Sequence, residues 1–319
     1  MNLLASLRYL VALNEHRHFA RAAQSCHITQ PALSNALRAL EKEFGTPIVK
    51  RGRTYAGLTP EGEQVLATAQ RMLHEHRLLE ETLASTAEQP RGQLLLGVVP
   101  TAVPVAARFA ALLQAAHPGI APVVRSMSSQ ALEDGLDSLT LDIALGFTGR
   151  LPAGGGRFTL LAQYAEHYFL VRRQPEGQPL GPLRMGPPMR WSDAAQLPMC
   201  LLTPEMHNRS LVDRAFAEAG AAVRPVMETD SVLTLALSVL AGGVCSVLPG
   251  ALVGAVRAQG KLIAHPLMAP ETVTEVGFFV LAQPQTSRTL AAALEFARSP
   301  AWQAQLAAHS GALQADLPD

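Results

Sequence analysis

One helix near the start of the chain carries side chains that could contact nucleic acid. Leu33, Leu37 and Leu40 recur at helical spacing, which predicts one buried face. The opposite face is left with amide, hydroxyl and guanidinium groups, which can hydrogen-bond to base edges in the major groove of DNA. On this basis we predict DNA contacts from Thr29, Gln30, Pro31, Ser34, Asn35 and Arg38.

The residues before this helix supply the rest of a helix-turn-helix. Ala20, Ala22 and Ala23 are small enough to let two helices approach closely. We expect Ile28 to pack in the corner between the helices, and Thr29 is a suitable N-cap for the second one. This arrangement would hold the polar face of the second helix away from the core.

A basic turn follows, between apolar residues at Ile48 and Val49 and at Leu58. Residues 1–60 contain eight basic and three acidic side chains, a local charge of +5, whereas the whole chain has 26 of each. A basic hairpin beside such a helix suits contacts with the phosphate backbone. We expect those contacts from Lys50, Arg51, Arg53 and Thr54.

A long helix is predicted to begin after this turn, from Pro60 to about residue 87. Thr59 is a good N-cap, Pro60 suits the first helical position, and proline and glycine at 89–92 end the pattern. Its apolar residues recur every three or four positions, so the stripe needs a partner. We favour the same helix of a second chain over the chain's own domain. Such a dimer seam would bury Leu66, Met72, Leu73 and Leu79.

Beyond residue 92, strand and helix patterns alternate, which predicts an α/β fold with a mostly parallel sheet covered by helices on both faces. The pattern occurs twice, so we expect two similar lobes with a cleft between them and chain crossings near residues 163 and 270. The predicted strands are 94–99, 120–127, 141–147, 158–163, 168–172, 199–202, 223–228, 244–248 and 277–282, and the last predicted helix is 286–298.

Small polar residues follow several of these strands. Ligands of open α/β folds bind beyond the carboxyl ends of strands, where helix N-termini and hydroxyl groups can hold an anion. The same residues could instead serve only as helix caps. They indicate a small polar or anionic effector, with candidate contacts from Pro100, Thr101, Ala102, Ser128, Ser129, Thr203 and Thr229.

An enzyme of the α/β class is the alternative of another kind. The sequence contains no dinucleotide-binding, Walker, zinc-protease or nucleophile-elbow motif at a strand-to-helix junction. We therefore expect neither catalytic residues nor a metal site nor a cofactor.

A membrane location is also disfavoured. Residues 231–256 carry no charge, but Gly-Gly and Pro-Gly pairs divide them into a helix, a short strand and a further helix. Three scattered cysteines and no signal-peptide pattern favour a cytoplasmic protein.

Five short segments resemble, in order and spacing, the winged helix-turn-helix signature of the LysR-type transcriptional regulators. The resemblance extends over essentially the whole chain. Asn35 departs from it, because many members have arginine at that position. The matching segments are 19–23 (Phe-Ala-Arg-Ala-Ala), 29–34 (Thr-Gln-Pro-Ala-Leu-Ser), 40–41 (Leu-Glu), 44–45 (Phe-Gly) and 58–62 (Leu-Thr-Pro-Glu-Gly).

The resemblance implies a DNA-binding regulator in three parts. Residues 1–58 would form the winged helix-turn-helix, 59–90 a linker helix for dimerisation, and 91–305 an effector domain like a periplasmic binding protein. One lobe would comprise 91–163 with 270–305 and the other 164–269. The family is usually homotetrameric, and dimer symmetry implies a partly palindromic double-stranded DNA site.

A redox-responsive regulator of the same family is a further alternative. The peroxide-sensing members of the family place a reactive cysteine in the loop after the strand that corresponds to 199–202. Here that loop, Thr203 to Ser210, contains no thiol. The remaining candidates, Cys200 and Cys245, lie in apolar strand patterns, where a cysteine usually behaves as a small buried hydrophobic residue.

Overall fold

The computed structural model describes residues 2–50, 52, 55–85, 89–152, 156–174, 182–282 and 286–313. Internal contacts divide the chain into two units. One comprises residues 1–86 with 137–140, and the other comprises 87–136 and 141–319.

The first unit is helical around a small apolar core. Its buried residues include Leu10, Leu13, Leu33 and Leu40. An antiparallel bridge joins Val49 and Leu58. Its helices are α1 (Leu3–His16), α2 (Phe19–Ser25), α3 (Gln30–Phe44) and α4 (Pro60–Ala84).

The early part of α4 packs on its own unit, where Leu66 and Ala69 are buried in the core and Leu73 packs partly against it. The prediction that Leu66 lies in a dimer seam is therefore wrong, because it is buried within the chain's own domain. Leu79 and Leu83 are 58% and 78% exposed. The unpartnered apolar surface of α4 lies towards the end of the helix.

The second unit alternates strands and helices, as the sequence predicts. Its elements are β1 (Gly92–Val98), α5 (Val103–Ala116), β2 (Ile120–Ser126), α6 (Ser129–Asp137), β3 (Ile143–Phe147), β4 (Phe158–Arg173), β5 (Arg184–Met185), β6 (Met189–Arg190), α7 (Trp191–Ala194), β7 (Cys200–Leu202), α8 (His207–Glu218), β8 (Met227–Thr229), α9 (Val232–Ala241), β9 (Ser246–Pro249), α10 (Gly250–Ala255), β10 (Leu262–Met268), β11 (Val273–Leu281), α11 (Arg288–Phe296) and α12 (Pro300–His309).

Strand β4 links the two lobes of this unit. The main sheet has the order β2-β1-β3-β11-β4-β10-β5, with β1 parallel to both β2 and β3 and with β11 antiparallel to β3 and β4. The first part of β4 pairs with β11, and its last part pairs with β9 and β10. The sequence predicted two strands here. The structure has one, because a single strand passes from one lobe into the other.

Each lobe has its own core. In the first lobe, Phe109 lies 4.6 Å from Phe278 and 5.0 Å from Trp302, measured between ring centroids. Trp302 belongs to α12, a helix that the sequence analysis missed. In the second lobe, the rings of Trp191 and Phe216 meet edge to face at 4.9 Å. A further apolar cluster of the second lobe includes Phe169 and Leu248, so the apolar clusters of the two lobes are distinct.

The uncharged segment 231–256 forms α9, β9 and α10, which confirms its predicted division into a helix, a short strand and a further helix, although Leu233 and Leu237 of α9 are exposed. In the described part of the chain, no helix is both long enough and apolar enough to cross a membrane.

Candidate DNA interface and effector cleft

Helix α3 begins where its sequence predicts and buries the predicted face. Thr29 is the N-cap, and its Oγ1 accepts a hydrogen bond from the Ala32 N–H at 3.3 Å. Leu33, Leu37 and Leu40 are buried, which confirms the predicted inner face. The cap and these three leucines fix which side of the helix faces solvent.

The outer face of α3 carries the predicted polar groups. Gln30, Pro31, Asn35 and Arg38 are exposed, and Ser34 is half-buried. The Arg38 guanidinium approaches the Asn35 Oδ1 at 3.5 Å, within reach of a weak hydrogen bond. These two polar groups of the outer face therefore lie together.

The turn into α3 is held by small and apolar residues. Ala22 and Ala23 are buried, and Ile28 packs against the same core. Ala20 is exposed, so the prediction that it lies at the helix contact is wrong. It lies on the outer side of α2.

Two polar residues, Glu41 and Thr59, hold the hairpin after α3. The sequence did not predict this role for either of them. The Glu41 Oε1 accepts hydrogen bonds from the N–H groups of Ile48 and Val49, at 2.9 and 3.1 Å. The Thr59 hydroxyl donates to the Pro47 carbonyl at 2.6 Å. The sequence could have indicated the role of Glu41, because this carboxylate near the end of α3 is followed by the apolar pair Ile48 and Val49.

Gly62 has a steric role in the same hairpin. A Cβ at this position would collide with the Ile48 carbonyl oxygen, so glycine permits the close approach of α4. Lys50 is exposed and its N–H donates to the Gly57 carbonyl at 3.0 Å. The predicted contacts Arg51, Arg53 and Thr54 lie outside the described residues.

In the second unit, a cavity of about 280 Å³ lies where segments of both lobes converge. It brings together three of the predicted hydroxyl residues with groups from the start of α8. The lining residues are Val99, Pro100, Thr101, Ser128, Ser129, Gln130, Phe147, Arg150, Glu205, Met206, His207, Asn208 and Ser210.

Hydroxyl groups form the first-lobe wall of the cavity. Thr101 is buried in the turn after β1. The Ser128 Oγ accepts a hydrogen bond from the Ala131 N–H at 3.2 Å, so it caps α6 as well as lining the cavity. The Ser129 Oγ is buried and has no hydrogen-bond partner among the described residues.

The N-terminus of α8 forms the second-lobe wall, and its N-cap residue, Met206, makes no side-chain capping bond. Burial, with the positive charges of Arg150 and Arg214, lowers the pKa of His207, which favours its neutral form. Asn208 is buried, and its Nδ2 donates to the Tyr168 hydroxyl at 3.4 Å. His207 and Asn208 are not among the effector contacts predicted from the sequence.

Arg150 is the cationic group of this cavity. Its guanidinium lies 3.5 Å from the Glu133 carboxylate. Nearby, the rings of Phe147 and His207 meet edge to face at 5.1 Å between centroids. Arg150 lies in the turn after β3, three residues beyond Phe147, and the strand-end rule applied to that strand could have found it.

The other predicted effector residues lie elsewhere. Ala102 is buried and does not line the cavity. Thr203 and Thr229 are joined by a backbone hydrogen bond of 3.0 Å at the ends of β7 and β8 and are also absent from the lining. The Thr229 Oγ1 accepts from the Ser231 N–H at 3.1 Å, which is a local turn contact.

Arg209 anchors the start of α8 to the strands beneath it. Its Nε donates to Asp213 at 2.8 Å, and its Nη1 donates to Glu228 at 2.6 Å and to the Leu202 carbonyl at 2.5 Å. These bonds fix the α8 end of the cavity wall.

The thiols of Cys200 and Cys245 are buried in separate apolar clusters, although the Cys200 N–H donates to the Cys245 carbonyl at 2.9 Å. Burial raises the pKa of both thiols, that of Cys245 to about 11. Such thiols remain protonated near neutral pH and are poor nucleophiles. Within the described residues, no group of three or more His, Cys, Asp or Glu is arranged to hold a metal ion.

Two family models match the chain. Residues 4–63 match the bacterial regulatory helix-turn-helix protein, lysR family, and residues 87–301 match the LysR substrate binding domain. The chain belongs to the LysR family. It is therefore a DNA-binding transcriptional regulator with an effector-binding domain, and the family is one of transcriptional regulators rather than enzymes.

Similar proteins agree with this family assignment. The DNA-binding transcriptional dual regulator OxyR of Escherichia coli K12 is 29% identical over 86% of this chain and 88% of its own length. The hydrogen peroxide-inducible genes activator of Dickeya chrysanthemi is 36% identical over 44% of this chain and 47% of its own. A full-length OxyR variant from Pseudomonas aeruginosa shares the fold, with a TM-score of 0.65 and 24% identity over 92% of this chain and 97% of that one.

Proposed function

We propose that this LysR-family regulator reads DNA through the outer face of α3 and contacts the phosphate backbone through the hairpin that follows. The exposed amide groups of Gln30 and Asn35 can pair with adenine, and Arg38 can pair with guanine. Lys50, in the hairpin after α3, is exposed and can contact a backbone phosphate. The full proposed interface is Thr29, Gln30, Pro31, Ser34, Asn35, Arg38, Lys50, Arg51, Arg53 and Thr54.

The test of this docking is the salt dependence of DNA binding. Lys50→Ala should weaken binding to all sequences and reduce the salt slope by about one, whereas Asn35→Ala should change the preferred base with little effect on the slope. The DNA is a fragment that the wild-type protein selects from a random pool. Identical preferences and slopes for both variants and the wild type would contradict the proposed docking.

We propose that the effector is a small anion, such as a carboxylate metabolite, bound in the cavity of about 280 Å³. The observation that carries the proposal is the convergence of Arg150, the uncapped N-terminus of α8 and the hydroxyl groups of Thr101 and Ser129 on one cavity. Helix N-termini and guanidinium groups are the usual partners of carboxylates. The volume, near the lower end for ligand pockets, suits a small molecule.

Thermal-shift screening of carboxylates tests this proposal. A ligand that stabilises the wild-type protein should lose most of its affinity with Arg150→Gln or with the pair Thr101→Val and Ser128→Ala. Thr229→Val is the matched control, because Thr229 does not line the cavity. Equal affinity for all of these variants would place the ligand elsewhere.

We propose a dimer through the later part of α4 and a homotetramer through the effector domains. Leu79 and Leu83 leave an apolar surface on α4, and Val226, Leu233 and Leu237 leave a second one beside β8 and α9. Exposed apolar patches commonly mark protein interfaces. A two-fold symmetric dimer implies a partly palindromic DNA site, and a bacterial regulator that binds DNA would act in the cytoplasm.

Light scattering distinguishes the two surfaces. Leu79→Glu should disrupt the α4 dimer, whereas Leu233→Glu with Leu237→Glu should reduce a tetramer to dimers. An unchanged mass for either variant would rule out the corresponding interface.

The name of the Dickeya chrysanthemi relative, a hydrogen peroxide-inducible genes activator, favours a second candidate, a redox-responsive regulator. In this chain, the buried and protonated thiols of Cys200 and Cys245 argue for ligand binding instead. DNA binding should therefore be unchanged by hydrogen peroxide in the wild-type protein. A peroxide response that Cys200→Ser or Cys245→Ser abolishes would favour the redox function over the effector proposal.

A further inference from the structure

A second cavity of about 540 Å³ adjoins the effector cavity. Phe147, Arg150 and His207 line both, so these three residues form a common wall. The remaining walls come from the side of α8 and from the chain that enters β11, which are not part of the first cavity. The volume lies in the range of small-molecule sites in proteins.

The second cavity carries charges of both signs. Arg214 lies on α8 with Glu218, and Glu271 and Glu275 lie on the opposite wall near the start of β11. None of these four side chains forms an ion pair within the part of the chain that the structure describes. Their charges are therefore available to a ligand.

Apolar and hydroxyl groups complete the lining. Leu211 and Val273 present an apolar surface, and Thr274 presents a hydroxyl group. The Thr274 Oγ1 lies 3.1 Å from the Tyr168 hydroxyl, which also accepts a hydrogen bond from Asn208 in the wall of the first cavity. A hydrogen-bonded chain thus connects the two cavities.

We propose that the second cavity binds a small zwitterion of the amino acid class. Its ammonium group lies towards Glu271 and Glu275, its carboxylate towards Arg214, and an apolar side chain packs on Leu211. The lining carries three carboxylates and two guanidinium groups, so a ligand with both charges can pair with Glu271 and Glu275 through one group and with Arg214 through the other. This site adjoins the effector site proposed in the first cavity, but Arg214, Glu271 and Glu275 line only the second cavity.

The experiment is isothermal titration of the full-length protein with each of the standard L-amino acids. At least one should bind, and its N-acetyl and amide derivatives, which lack the ammonium and the carboxylate respectively, should each bind about tenfold more weakly or worse. The pair Glu271→Gln and Glu275→Gln, and separately Arg214→Gln, should weaken binding similarly. These charged residues line an open cavity, so the amide replacements should leave the folding transition unchanged, which circular dichroism checks.

Ser128→Ala is the matched control because it alters only the first cavity. It should leave amino acid binding unchanged while weakening the carboxylate effector of the first cavity. The proposal is overturned if no amino acid binds, if binding survives Arg214→Gln, or if Ser128→Ala alone removes it.

Discussion

Helix α3 and the effector cleft obtain their polar groups in different ways. Helix α3 takes its proposed DNA-contacting groups from one continuous run, Gln30 to Arg38, on a face that three buried leucines fix. The cleft takes its groups from four separated segments, 99–101, 128–130, 147–150 and 205–210. A substitution on the outer face of α3 should therefore change binding alone, whereas substitutions of the buried groups around the cleft should also affect the stability of the effector domain.

The largest expected effect on the free energy of unfolding comes from Glu166 in β4, the strand that links the lobes. Glu166 is buried, and its Oε1 accepts hydrogen bonds from the N–H groups of Ala251 at 3.3 Å and Gly311 at 3.2 Å. Burial raises its pKa from 4.5 to about 8, although the backbone hydrogen bonds oppose the shift. The folded protein therefore holds this proton more tightly than the unfolded chain does.

The sign of the pH dependence follows from this linkage. The contribution of Glu166 is fully present below the unfolded pKa of 4.5 and is lost as the pH rises towards 8. Within that window, the free energy of unfolding should fall by about 1.4 kcal/mol per pH unit. Glu166→Gln should remove this part of the dependence. Urea unfolding at pH 6 and pH 8 measures it, and parallel behaviour of the two proteins would contradict the prediction.

The next largest effect is on stability and is tested by comparing two arginines on α8. Arg209→Ala should cost about 2 kcal/mol, because it leaves the Leu202 carbonyl and Glu228 without the donor that they share. The matched control is Arg214→Ala on the exposed side of the same helix, which should change stability by less than about 0.5 kcal/mol. Denaturant midpoints decide the comparison. Equal costs for the two variants would show that the Arg209 bonds do not hold the cleft wall.

The difference between the two regions also explains what the sequence could predict. In α3, the cap Thr29 and the buried leucines are local signals, and both are confirmed. In the cleft, the strand-end rule located Thr101, Ser128 and Ser129 because it needs only one strand and the turn after it. Arg150 was missed because the rule was not applied to the end of β3. His207 was missed because which loops converge depends on how β4 passes between the lobes.

The missed elements have equally specific causes. Strand β10 contains Pro266 and His265, residues that weaken a strand pattern in sequence. Helix α12 buries little besides Trp302 and Leu306, so its apolar stripe is too sparse to detect. The polar residues Glu166 and His167 divided β4 into two predicted strands. They lie at its crossing point, where the pairing partner changes from β11 to β9 and β10.

The smallest expected effect concerns the contact between Asn35 and Arg38 on α3. Each side chain should contribute about 1–3 kcal/mol to discrimination between bases if it pairs with a base edge. Because Arg38 approaches the Asn35 Oδ1 at 3.5 Å, removing Asn35 should also release Arg38. We therefore expect the two alanine substitutions to be non-additive in DNA binding, with a coupling energy of about 0.5–1 kcal/mol.

A double-mutant cycle on the selected DNA fragment, at one fixed salt concentration, measures this coupling. The cycle of Asn35 with Lys50 is the control, since no hydrogen bond joins those two side chains in the described residues, and it should be additive within about 0.5 kcal/mol. Both residues of the test pair are exposed, so thermal unfolding should be unchanged in all variants. Additive effects at Asn35 and Arg38 would mean that the two side chains reach the DNA independently, and the view of the α3 face as one joined surface would then be wrong.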